Sequence, residues 1–148
     1  MEKGAVNGLN LILKGKQVAI DAYERFIQDV GDDRVKKEFQ EIQRDHKKRA
    51  SELFIHIQSL GGKPESNIGF AGFMASAKAA MNDMGKTETI DILKKAYDGE
   101  DKKIAKAEEI IRGDLDKESE ELIKNILSED QDHLKKMLNL INGIEGRH

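Results

Sequence analysis

The sequence predicts an all-α fold, a bundle of four long helices with a long crossover between the second and the third. Three observations carry this. Apolar residues recur at steps of three and four through four separate stretches, the mark of helices with one buried face. Charged residues make up 36% of the 148, with a single proline at Pro64, a composition that suits solvated helices better than strands. Each stretch also sets a polar residue on its apolar face near mid-length. At this length one domain covering residues 1–148 is expected.

The first helix is expected from about Val6 to Val30, burying Leu9, Ile12, Leu13, Ile20, Tyr23, Phe26, Ile27 and Val30. Lys16 falls in the middle of that face. Gly31-Asp32-Asp33 breaks the helix, and an aspartate there can cap the next one. The second helix is expected from about Asp33 to Leu60, on the stripe Val35, Phe39, Ile42, Ala50, Leu53, Phe54, Ile57 and Leu60, with His46 on the seam. Gly61-Gly62-Lys63-Pro64 stops it, because glycine takes a left-handed cap and proline cannot continue a helix.

Residues 61–86 form a long connection. Phe70, Phe73, Met74, Ala77, Met81 and Met84 recur within it at helical spacing, which predicts a short amphipathic helix lying over the bundle. The alternative is a lipid- or cofactor-facing surface. A connection this long lets the second and third helices run parallel. The third helix is expected from about Thr87 to Arg112, on Ile90, Leu93, Tyr97, Ile104, Ala107 and Ile111, with Glu100 at mid-seam. Asp116 caps a fourth helix that runs to about Asn142 and stops at Gly143. Its seam is Leu122, Ile126, Met137, Leu140 and Ile141, interrupted by Asp130 and His133.

The two halves repeat. A shift of 84 residues lays Leu9 on Leu93, Ile20 on Ile104, Ile27 on Ile111, and Lys16 on Glu100, the last two each preceded by glycine (Gly15, Gly99). A shift of 87 lays His46 on His133, Asp45 on Asp132, and Gln43 on Asp130. Apolar matches alone are cheap between amphipathic helices. The histidines and glycines in common register predict two hairpins related by a pseudo-twofold.

Antiparallel packing then brings Lys16, Gln43, His46, Glu100, Asp130 and His133 to one level. Asp130 and His133, three residues apart, share a helix face, and Glu100 joins them from the neighbouring helix. Together with His46 they make a hard-to-borderline ligand set for one iron, manganese or zinc ion. Lys16 cannot ligate while protonated, and Gln43 is a weak neutral ligand. The other reading is a closed network of ion pairs, with Lys16 bonded to Glu100 or Asp130 and the histidines as hydrogen-bond partners. In that case the chain is a non-catalytic scaffold or interaction protein.

This layout resembles the ferritin-like superfamily, whose pattern is a glutamate on the first and third helices and Glu-x-x-His on the second and fourth. The match holds at Glu100, His133 and His46, and Asp130 is a shortened version of the expected glutamate. The chain departs at Lys16 and Gln43, so a full two-metal oxidase or peroxidase is not expected. Asp21-Ala22-Tyr23-Glu24, Leu60-Gly61-Gly62-Lys63-Pro64 and Asp98-Gly99-Glu100-Asp101 are similar to a small bacterial ferritin-like family of unassigned function. The resemblance implies metal binding with a role in oxidative or general stress.

The net charge of −3, with both signs interspersed, argues against nucleic-acid binding. Cysteine is absent, which excludes disulfides and thiol chemistry and fits the cytoplasm. No run approaches the ~18 apolar residues of a membrane span, and Met1-Glu2-Lys3-Gly4 lacks the apolar stretch of a signal peptide. Ser51, Ser59 and Ser119 lie in helices without a paired base, and no glycine-rich phosphate loop is present. His56 and His148 are expected in solvent, and Asp21 and Glu24 as surface charges. A homodimer is expected, with Tyr23, Glu24 and the Phe70 to Met84 crossover as candidate surfaces. No partner protein can be named.

Overall fold

A computed structural model describes residues 2–65 and 88–146, with side chains from Gly4 onward. It contains α1 (Glu2–Asp29), α2 (Asp33–Ser59), α3 (Thr89–Ile111) and α4 (Lys117–Glu145). The expected crossover helix and His148 lie outside the described residues. The expected caps form. Asp32 accepts hydrogen bonds from the Arg34 and Val35 amides, and Asp116 accepts from the Ser119 amide and hydroxyl. Such a cap contributes ~1 kcal/mol. Gly61 ends α2 at φ 80°, a conformation that favours glycine. Gly62 is tight for a different reason: an added Cβ would lie 2.7 Å from the Val6 methyls.

Two boundaries need correction. α1 begins at Glu2, four residues before the expected Val6. Gly143 does not stop α4, which runs on to Glu145. An interior glycine costs ~1 kcal/mol, and Ile144 packs on the core beyond it, which offsets that cost.

α1 packs chiefly on α2, and α3 on α4. The hairpins meet through α1–α3 and α2–α4. Across α1–α3, Gly8 faces Ile110 while Tyr23 reaches Glu100, so the two helices are antiparallel. Across α2–α4, Arg49 bonds Glu129 and His56 bonds Ser119, again antiparallel. The second and third helices therefore run parallel, as their long connection predicts.

The core is divided. One cluster holds Tyr23, Phe26, Val35, Phe39, Ile42, Ile92, Leu93 and Met137. The other holds Leu9, Leu13, Leu53, Ile57, Ile104, Ile123 and Ile126. The seams differ from the expected ones in every helix: Ile20 and Ile27 of α1 and Leu122 and Leu140 of α4 are only half-buried, while Ile123 and Leu127 of α4 join the core. Ile92 and Ala96 are fully buried, whereas Ile90 and Tyr97 are only half-buried. Phe54 is 37% exposed rather than part of the buried stripe.

Candidate metal centre

Between the two apolar clusters lies a polar layer. Lys16, His46, Glu100, Asp130 and His133 are all buried there on the apolar seams of the four helices, the last two sharing that of α4. The Lys16 ammonium spans both Asp130 oxygens at 2.8 and 2.7 Å and reaches His46 Nδ1 at 3.1 Å. His46 Nε2 lies 2.6 Å from Glu100 Oε1. That oxygen also accepts from the Tyr23 hydroxyl at 2.9 Å and the Lys103 ammonium at 3.0 Å. With Lys16 donating to Nδ1, the assigned tautomer of His46 carries its proton on Nε2 and donates it to Glu100.

His133 is turned differently. Its Nε2 meets Asp45 Oδ2 at 2.9 Å, toward the surface. Its Nδ1 faces Asp130 Oδ1 at 3.4 Å, without hydrogen-bond geometry. Two buried ligand-type atoms thus have no hydrogen-bond partner: Glu100 Oε2 and His133 Nδ1.

The charges in the layer depend on one another. Burial pushes the His46 imidazole down to about 4, helped by the positive charges of Lys103 and Lys16, so the ring is neutral near pH 7. Burial also lowers the Lys16 ammonium, while Asp130 acts in the opposite sense. Burial alone would raise both carboxylates. For Glu100 it is outweighed by Lys103, His46 and Lys16, and for Asp130 by His133 and Lys16, so both are held below the usual carboxylate range. Burial pushes His133 down, but Asp130 and Asp45 overcome it and the net shift is upward. The Tyr23 phenol is raised well above its ordinary value by burial and by Glu100, so it stays a donor.

Sequence spacing placed Lys16, His46, Glu100, Asp130 and His133 together, and the fold brings them together. Gln43 is buried but does not join them. Its amide donates to the Ile20 carbonyl and to Glu24. Tyr23 is corrected from a candidate dimer surface to a buried member of the layer, 2% exposed. Its signal was its place seven residues after Lys16 on the same seam. Lys103, three residues after Glu100, and Asp45, beside His46, were also missed. His56, expected in solvent, is half-buried and bonds the Ser119 hydroxyl at 2.8 Å. A cleft of about 490 Å³ between α1 and α3 opens beside Tyr23 and Glu100, with Gly15 and Gly99 in its walls.

The donor set fits a metal ion. His46, Glu100, Asp130 and His133 each offer a ligand atom, and these atoms lie within 4.8 Å of one another. Two imidazoles and two carboxylates suit iron, manganese or zinc. The ammonium of Lys16 already stands among them.

Residues 4–113 match a family model described as a domain of unknown function (DUF2383). No curated protein matches the chain. Among solved structures, the chain is 18% identical to a dodecameric thioferritin, the bacterioferritin-related protein from Bacteroides fragilis, at a TM-score of 0.82 over 99% of this chain and 89% of that one. A ferritin-like, diiron-carboxylate protein from Bacillus anthracis str. Ames gives 19% identity and a TM-score of 0.71, covering 95% and 97% of the two chains. A two-domain protein from Anabaena variabilis ATCC 29413 contains DJ-1/ThiJ/PfpI-like and ferritin-like domains. It gives 17% identity and a TM-score of 0.81 over all of this chain, which spans 39% of that protein's length. At such identities the likeness establishes the fold, which is ferritin-like. Among the described residues no helix is long and apolar enough to cross a membrane.

Proposed function

The chain belongs to the DUF2383 family of domains of unknown function, and on that premise we propose that it binds one iron, manganese or zinc ion within its mid-bundle layer. The ligands would be Glu100, Asp130 and His133, with His46 completing the set once Lys16 turns aside. The observation that carries this reading is the pair of buried atoms without hydrogen-bond partners, Glu100 Oε2 and His133 Nδ1. A buried polar atom left unpaired is costly unless something occupies it. Asp45 holds the outer nitrogen of His133, the support that metal-ligating histidines ordinarily receive.

A bound ion would supply Lewis acidity and, for iron or manganese, redox capacity. The residues around it do the rest. Tyr23 and Lys103 hold one oxygen of Glu100, leaving the other free. Lys16 neutralises Asp130. The reading extends to a cytoplasmic stress role as a homodimer. Support for association comes from the dodecameric assembly of the Bacteroides relative and from the exposed apolar side chains Leu11, Phe54, Ile55 and Leu138.

Elemental analysis of protein purified without chelator, then offered Fe(II), Mn(II) or Zn(II), tests the metal. One ion per chain, lost in Glu100→Gln, is expected. No stoichiometric ion with any of the three refutes it. A second reading, a metal-free scaffold, is favoured by the charge balance of the layer, where Lys16 and Lys103 already match Glu100 and Asp130.

A further inference from the structure

We infer that Asp45, Glu129 and the Nε2 atom of His133 form a second cation site, at the surface of the bundle, for a divalent transition ion of borderline type such as Zn(II) or Co(II). The inference stands on its own geometry and does not require an ion in the buried layer. Glu129 and His133 lie four residues apart on α4 and so share a face. Asp45 meets them from α2. One ligand atom from each lies within 4.8 Å of the others.

The site is reachable. The side chains of Asp45 and Glu129 are 41% and 24% exposed, whereas that of His133 is 3% exposed. A carboxylate pair with one imidazole is a suitable set for such ions, leaving a coordination position for water.

The second ring nitrogen supports the assignment. Nδ1 is buried, has no hydrogen-bond partner, and lies 3.4 Å from Asp130 Oδ1. When Nε2 gives its lone pair to an outer ion, the ring proton resides on Nδ1, facing that carboxylate. A ring shift that closes the 3.4 Å gap to Asp130 would complete the carboxylate–histidine–metal arrangement, which fixes ring orientation and strengthens the ligand. Lys16 keeps Asp130 charged and in place throughout. A neutral imidazole has one free lone pair, so His133 serves the outer site or the buried layer, not both at once.

Arg49 is the competitor. Its Nε and Nη2 atoms donate to the two Glu129 oxygens at 3.1 and 3.4 Å. An incoming ion must take Glu129 from this pair, so the guanidinium weakens the site.

The test is titration of the full chain with Zn(II), reading the ring nitrogens of His133 by ¹⁵N NMR, in wild type, Glu129→Gln and Arg49→Gln. Both substitutions lie outside the buried layer, and helicity is checked first. The expected result is coordination through Nε2, weakened about 10-fold or more in Glu129→Gln and tightened in Arg49→Gln. Coordination through Nδ1, indifferent to Glu129→Gln, overturns the outer site and leaves the buried one standing. Nε2 coordination indifferent to both substitutions overturns the three-ligand site. No ring response overturns the outer site and also removes zinc from the buried layer.

Discussion

The ammonium of Lys16 lies 2.7 Å from Asp130 Oδ2, with both groups almost wholly buried. By the internal repeat, Lys16 occupies the place on α1 that Glu100 occupies on α3. A cation therefore stands where the ferritin-like pattern expects a ligand for one. Two positive charges a few ångströms apart in a low-dielectric core repel strongly. On the proposed reading, that relationship leaves the layer room for one metal ion at most.

Lys16→Met should destabilise the fold by about 3–5 kcal/mol, because it leaves the Asp130 carboxylate buried and unpaired. Adding Asp130→Leu should recover most of the loss. Urea unfolding of both variants checks this. A double variant as unstable as the single one would mean that the pair is not what the layer depends on.

Tyr23→Phe removes the donor to Glu100 Oε1 and a weak hydroxyl contact with Met137 Sδ, and leaves the ring in place. Hydrogen bonds to charged groups contribute about 1.5–3 kcal/mol, so a loss of that size in urea unfolding is expected. A change within error would place the phenol outside the energetics of the layer.

The pH dependence has a definite sign. His46 is held at about 4 when folded, against 6.5 ordinarily. Between these values the unfolded chain binds the extra proton, so stability falls as pH falls through the window. From pH 6.5 to 5 this amounts to about 1.5 kcal/mol. His133, raised on folding, acts oppositely: its contribution is full below its ordinary value and is lost as pH rises through the folded one. The wild-type slope minus that of His46→Gln isolates His46. Equal slopes would show that His46 does not titrate in this way.

Replacing Lys16 and Gln43 together by glutamate should restore two carboxylates and raise metal capacity from at most one to two ions per chain. A carboxylate at 43 cannot donate to the Ile20 carbonyl and Glu24 as the amide does, and turns instead to the layer. Metal content of the variant, with helicity confirmed by circular dichroism, is the readout. A folded variant that gains no ion would mean that the layer is not a reduced two-metal site.

The fold was largely readable because its signals are local. Asp32, Asp116 and Gly61 mark helix ends by chemistry within a few residues. Gly143 misled because its cost is local while the gain from Ile144 is tertiary. The layer's membership followed from helical phase, which placed Lys16, His46, Glu100, Asp130 and His133 on seams. Phase does not say how a long side chain turns. Gln43 shares the register of Asp130 yet bends to the Ile20 carbonyl, and Tyr23 reads as core until its hydroxyl is seen on Glu100. The equivalence of the histidines also breaks at the side chain. His46 keeps both nitrogens inside the layer, whereas His133 turns one outward to Asp45.

The most direct test is anomalous scattering from crystals of the wild-type chain grown with Fe(II), Mn(II) or Zn(II), collected at the metal edge. One peak is expected in the polar layer, about 2.0–2.2 Å from carboxylate atoms of Glu100 and Asp130 and from an imidazole, His133 where the outer site is empty and His46 where zinc holds His133 from outside, with Lys16 turned from its present contact. Two peaks within the layer, or none there for any of the three ions, would contradict it.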